Sequence, residues 1–89
     1  MPNDLSPVIV RVVIEPWQFR AARAALDLTR NELADASGLS LVALSNAESD
    51  RFDSRGRTLA KLQAFYESRG IVFLDQNSGG PGIVRRPQS

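Results

Sequence analysis

The stretch Thr29–Glu48, TRNELADASGLSLVALSNAE, decides the fold. Thr29 and Glu32 form a capping box: the threonine oxygen accepts the backbone N–H three residues on, and the glutamate reaches back to the N–H of Thr29. This start predicts a short helix over Arg30–Ser37, with Leu33, Ala34 and Ser37 turned inward at small volume. Gly38 stands where a helix C-terminus takes a left-handed residue. Leu39 then leads to Ser40, a hydroxyl suited to cap the next helix. That helix runs from Leu41 to about Ser49 and buries Leu44 and Ala47. Two short capped helices joined at a glycine can serve recognition, but any pair of crossing helices also needs small residues and a tight turn. The segment alone leaves both readings open.

Working outward, Glu15-Pro16 opens an earlier helix, because proline at the first helical position lacks an N–H that would be unpaired anyway. This helix is expected from about Pro16 to Asp27, with Phe19, Ala22, Arg23 and Leu26 on one face. Before it, Val8–Ile14 (VIVRVVI) is rich in β-branched residues and reads as a strand over 8–14. Residues 1–7 are polar with two prolines and read as a loose arm. After the decisive stretch, Asp50–Arg57 (DRFDSRGR) reads as an arginine-rich loop. A fourth helix follows from about Thr58 to Arg69, with Leu59, Leu62 and Phe65 at core spacing and Gly70 ending it. Ile71–Leu74 and Ile83–Arg86 flank DQNSGGPG, which predicts a β-hairpin over 71–86 with a long loop, then a tail over 87–89. The fold class is mostly α with a small β part.

Composition narrows the chemistry. Eighty-nine residues allow one domain and one modest core. The chain has no cysteine and no histidine, which removes disulfides, thiolates, the commonest metal ligand and the usual general base. An enzyme would have to work with carboxylates, Lys61, Tyr66 and hydroxyls, so no catalytic, metal or cofactor site is expected. Asp50 and Asp53 suit turn chemistry better than catalysis. The net charge of +1 neither demands nor excludes a nucleic-acid partner. The longest apolar run, Val8–Ile14, is short and interrupted by Arg11, so neither a signal peptide nor a membrane span is read and a cytoplasmic location is expected.

The run Gln18–Arg86 resembles the Cro/repressor-type helix-turn-helix family, also called the xenobiotic-response-element family. The resemblance is carried by RAARAALDLTRNELADASGLS, by ALSNAE, by TLAKLQAFYESRG and, in a bacterial branch, by the hairpin GIVFLDQNSGGPGIVRR. It implies a four-helix, lambda-repressor-like domain over 16–70, with the N-terminal strand and the hairpin added. It also implies double-stranded DNA as partner, with the third helix reading the major groove by its N-terminal part. The outward positions would be Ser40, Leu41, Val42, Ser45 and Asn46. Asn46 would pair with adenine, Ser40 or Ser45 would meet phosphate or a base edge, and Leu41 and Val42 would pack on thymine methyl groups. Many relatives are polar or basic at these last two positions, so burial of Leu41 and Val42 inside the protein or against a partner stays open.

Arg30 opens the second helix where the family often has a glutamine that touches the DNA backbone or supports base readout; here the resemblance implies a phosphate contact. Arg51, Arg55 and Arg57 cluster beside the reading helix and would contact phosphates without reading sequence; the bland alternative is a solvated loop. The resemblance further implies an internal ion pair of Arg23 with Glu48. Arg85 and Arg86, at the end of the hairpin, read as a solvated end of the chain, with a DNA contact as the alternative. Two other functions remain in view: a protein-interaction module or antiactivator that keeps the fold, and an antitoxin-like regulator. A homodimer joined through its β-strands is expected, because one such unit touches few base pairs.

Overall fold

The computed structural model describes residues 14–49, 56–75 and 79–87. Four helices are followed by a hairpin: α1 (Pro16–Ala25), α2 (Arg30–Ser37), α3 (Leu41–Ala47), α4 (Gly56–Ser68), β1 (Ile71–Leu74) and β2 (Gly82–Arg85). The strand expected over Val8–Ile14 lies outside the described residues except for Ile14, which is irregular and packs against the core.

Local chemistry explains the boundaries. The Thr29 hydroxyl accepts from the Glu32 N–H at 3.1 Å, and the Glu32 carboxylate accepts from the Thr29 N–H at 2.9 Å. Gly38 ends α2 at φ +77°, a conformation open to glycine at little cost. Ser40 caps α3 by accepting from the Ala43 N–H at 3.1 Å. α1 stops two residues short of the expected Asp27. The N–H of Leu28 bonds the carbonyl of Arg23, and the N–H of Asp27 bonds that of Ala24. This is a Schellman ending with Asp27 as the left-handed residue, at φ +58°, and aspartate tolerates that region better than most side chains. α3 ends at Ala47 rather than Ser49, with Glu48 as its C-cap. α4 begins at Gly56, which places Arg57 in its first turn instead of in a loop; arginine is a good helix former, and neither residue blocks the helical backbone.

The core is built from Phe19 and Ala22 of α1, Leu33 of α2, Leu44 and Ala47 of α3, Leu62 and Tyr66 of α4, and Ile71 and Phe73 of β1. Spacing alone favoured Phe65 over Tyr66 in α4, but Tyr66 is fully buried and Phe65 only partly so. The reason is aromatic packing. Tyr66 stacks on Phe19 with ring centroids 6.3 Å apart and meets Phe73 edge-on at 6.0 Å; Phe73 meets Phe19 at 5.5 Å. Such offset and edge contacts add to the gain from area burial.

The hairpin is antiparallel, with Ile71 facing Arg85 and Leu74 facing Gly82. The second strand therefore begins one residue earlier than expected. A side chain on Gly80 would put its Cβ 2.8 Å from the Asp75 carbonyl oxygen, so only glycine fits that turn. Gln18, fully buried on α1, fastens the hairpin to the helices. Its Nε2 donates to the carbonyls of Leu74 and Gly82, each at 2.9 Å, and its Oε1 accepts from the Glu15 N–H at 2.8 Å.

The Tyr66 hydroxyl has no hydrogen-bond partner among the described residues. Burial pushes its pKa above the ordinary value, and the nearby Glu48 carboxylate pushes it further. A group whose pKa is raised by folding contributes stability below its unfolded pKa, about 10 for tyrosine, and loses that contribution as pH climbs toward the folded value. Tyr66→Phe should therefore leave neutral-pH stability within about 1 kcal/mol, or raise it. It should also remove part of the loss of stability that the natural chain suffers above about pH 10. Urea midpoints that fall in parallel for both chains across this range would contradict the assignment.

Candidate nucleic-acid interface

α3 lies with Leu44 and Ala47 buried against the other helices. On its other side Ser40, Leu41, Val42 and Ser45 are exposed, while Asn46 is half-buried. The five residues expected to read bases are thus brought together on one short helix and its cap. Leu41 is 48% and Val42 71% exposed, so neither is buried within the described protein.

At the far end of α3 sits Glu48, whose side chain is fully buried. Arg23 of α1 grips the carboxylate with a fork: Nε donates to Oε2 at 2.8 Å and Nη2 to Oε1 at 3.1 Å. The third guanidinium nitrogen, Nη1, donates to the Leu28 carbonyl at 3.1 Å, just before α2. Arg30 of α2 donates from Nε to Oε1 of Glu48 at 3.1 Å. Arg20 of α1 donates from Nη1 to the main-chain carbonyl of Glu48. Hydrogen bonding to Glu48 raises the Arg23 pKa despite the opposing effect of burial. Such bidentate, charge-assisted geometry fixes orientation as well as supplying energy.

Three guanidinium groups therefore converge on one residue, and this cluster carries net positive charge. Arg30 was expected at the DNA, on its backbone or in support of base readout. Here its Nε is engaged by Glu48 while its side chain stays 47% exposed. Arg20 escaped sequence reasoning. Its signal was the i,i+3 spacing to Arg23, which places the two on neighbouring positions of one helix face. Arg57 is exposed in the first turn of α4; Arg51 and Arg55 lie outside the described residues. Arg85 does more than close a tail: its Nη1 donates to the Ala25 carbonyl at the end of α1, at 2.7 Å. Among the described residues no cluster of acids could hold a metal ion, and no helix is long and apolar enough to cross a membrane.

A family model described as helix-turn-helix matches residues 19–70, more than half of the chain. The matched span begins within α1, takes in α2, α3 and α4, and stops before the hairpin. A comparison with curated proteins found no match.

Removing the Glu48 side chain would leave the buried part of the arginine cluster without its counter-charge. Glu48→Ala should cost about 3–5 kcal/mol, whereas Glu67→Ala, on the exposed side of α4, should fall within about 0.5 kcal/mol of the natural chain. Urea denaturation of the two variants checks this, and equal midpoints would contradict the role given to Glu48.

Proposed function

We propose that this chain, which belongs to the Cro/repressor-type helix-turn-helix family, is a transcription regulator that binds an operator in duplex DNA with α3 in the major groove. The observation that carries the reading is the division of α3: Leu44, Ala47 and Glu48 are buried in the scaffold, while Ser40, Leu41, Val42 and Ser45 are exposed. A major groove about 12 Å wide admits one helix. In this reading Asn46 pairs with adenine, and Ser40 and Ser45 meet phosphate or base edges. Arg30, Arg51, Arg55 and Arg57 hold the phosphate backbone, and they position the domain without choosing a sequence.

The operator is bound by a homodimer, which sets two reading helices about 34 Å apart, one turn of DNA. Support comes from the hairpin: a two-stranded sheet is marginal by itself, and Val84 on β2 is exposed. The apolar run Val8–Ile14 offers a further strand from each chain. A second reading, a module that binds protein through α3, is favoured by one observation, the exposure of Leu41 and Val42.

Shift assays at rising salt separate the two readings, since a DNA regulator loses affinity steeply as salt displaces it from phosphate, while a protein module binds duplex weakly throughout. Within the DNA reading, Asn46→Ala should cost about 1–3 kcal/mol on the preferred duplex and lower discrimination between sequences. Arg57→Ala should weaken all duplexes alike and lower the salt slope by about one. A change of base preference in Arg57→Ala, with none in Asn46→Ala, would reverse the assigned roles.

A further inference from the structure

We propose that Arg69, Arg85 and Arg86 form a second phosphate-binding surface, outside the helix-turn-helix, that holds the backbone of duplex DNA beyond the bases covered by α3. The inference rests on the reading of this chain as a DNA-binding regulator, and it lengthens the stretch of duplex that each subunit holds.

The hairpin returns the chain to where it began, so that three arginines meet at Gly70. Arg69 precedes Gly70 at the end of α4. The Arg86 N–H donates to the Gly70 carbonyl at 2.7 Å, and Arg85 faces Ile71 across the ladder. All three residues are exposed. Two of them are also held in place. The Arg69 guanidinium carbon lies 4.7 Å from the centroid of the Phe65 ring, a cation–π contact. Arg85 donates from Nη1 to the Ala25 carbonyl at 2.7 Å, which engages one of the five N–H donors of its guanidinium.

Among the described residues the ion pairs run to Glu48, and Arg69, Arg85 and Arg86 have no acid within salt-bridge distance. Asp27, two residues past Ala25, pairs with none of them. Grouped like charges repel one another and count against the fold. Cations do suit the C-terminal ends of helices, which accounts for Arg69 on α4 and for Arg85 on the last carbonyl of α1. It does not account for Arg86, which ends a strand. Spread over the ends of α4 and β2, the three charges make a strip, and a strip suits a chain of charges better than a single ion. Guanidinium groups match phosphate oxygens in geometry as well as in charge. Position favours the duplex over other polyanions. Arg85 is fastened to the end of α1, and Arg30 opens α2 five residues after Ala25. Five extended residues span at most about 17 Å, and the turn in which the Leu28 N–H bonds the Arg23 carbonyl shortens that path. One turn of DNA is about 34 Å, so this end of α1 stands within roughly half a turn of the phosphate contact proposed for Arg30. The strip would meet phosphate through side chains alone, which leaves the hairpin ladder as it is.

The test takes a duplex selected from a random-sequence pool by the full chain, in two forms. One ends at the selected bases, and the other extends a full turn beyond them on each side. Affinity for both is measured against salt, where each phosphate contact adds about 0.9 to the slope. The natural chain should show a slope steeper by about two to three per subunit on the long form. The triple variant Arg69→Gln, Arg85→Gln, Arg86→Gln should show the same slope on both forms. Arg86→Gln alone should lose about one unit of slope on the long form. It keeps the bond from Arg85 to Ala25, so it tests the proposal even where the triple variant fails to fold, and melting curves verify both. Equal slopes of the natural chain on the two forms overturn the proposal and leave the DNA reading standing. A triple variant that loses stability but keeps the slopes of the natural chain also overturns it, and reduces the arginines to helix-end partners. Phosphatidylserine vesicles bound by the natural chain and not by the triple variant, with duplex slopes unchanged, overturn it in favour of a membrane surface. Failure to select any duplex overturns the DNA reading itself, and this inference with it.

Discussion

Burying a carboxylate costs several kcal/mol unless its lost water is replaced by opposite charge and well-aimed donors. Glu48 satisfies that condition by drawing in Arg23 and Arg30 through its carboxylate and Arg20 through its carbonyl. Because those arginines come from α1 and α2, the constraint reaches well beyond one ion pair. It fixes the C-terminal end of α3 against two other helices at a defined angle. The leading turn, Ser40 to Val42, is left outside the packed interior. A helix of only seven residues has little stability of its own, so its exposed face exists because its other end is held.

A second tie runs to the other side of the molecule. α1 carries Gln18 as well as Arg20 and Arg23. Gln18 holds both strands of the hairpin by their carbonyls, and Phe19 joins the aromatic cluster with Tyr66 and Phe73. One helix of ten residues thus fastens the hairpin and the α3 anchor alike. In the proposed dimer, α1 would set where each reading helix stands relative to the two-fold axis, since its side chains hydrogen-bond to both the hairpin and the end of α3.

What could be read from the sequence was local. Thr29, Gly38 and Ser40 act through atoms within three or four residues, so capping chemistry gives α2 and the start of α3 directly. The aliphatic core positions Leu33, Leu44 and Leu62 followed from spacing. Asp27 was missed as the left-handed end of α1 because glycine, not aspartate, is the usual signal. Spacing in α4 pointed to Phe65, and the neighbouring Phe19 and Phe73 rings, distant in sequence, make the deeper position at Tyr66 favourable. Gln18 was unreadable: its partners Leu74 and Gly82 lie 56 and 64 residues away. At the candidate site, family resemblance supplied the pairing of Arg23 with Glu48. The links from Arg20 and Arg30 depend on how three helices meet, which no single stretch records.

The most direct measurement is a titration of isotope-labelled chain with a duplex of mixed sequence, followed by amide NMR. The account predicts that the signals of Ser40–Asn46 and Arg30 move together as duplex is added, while those of the hairpin residues Ile71–Leu74 stay in place. Movement confined to the hairpin, with α3 unaffected, would contradict it.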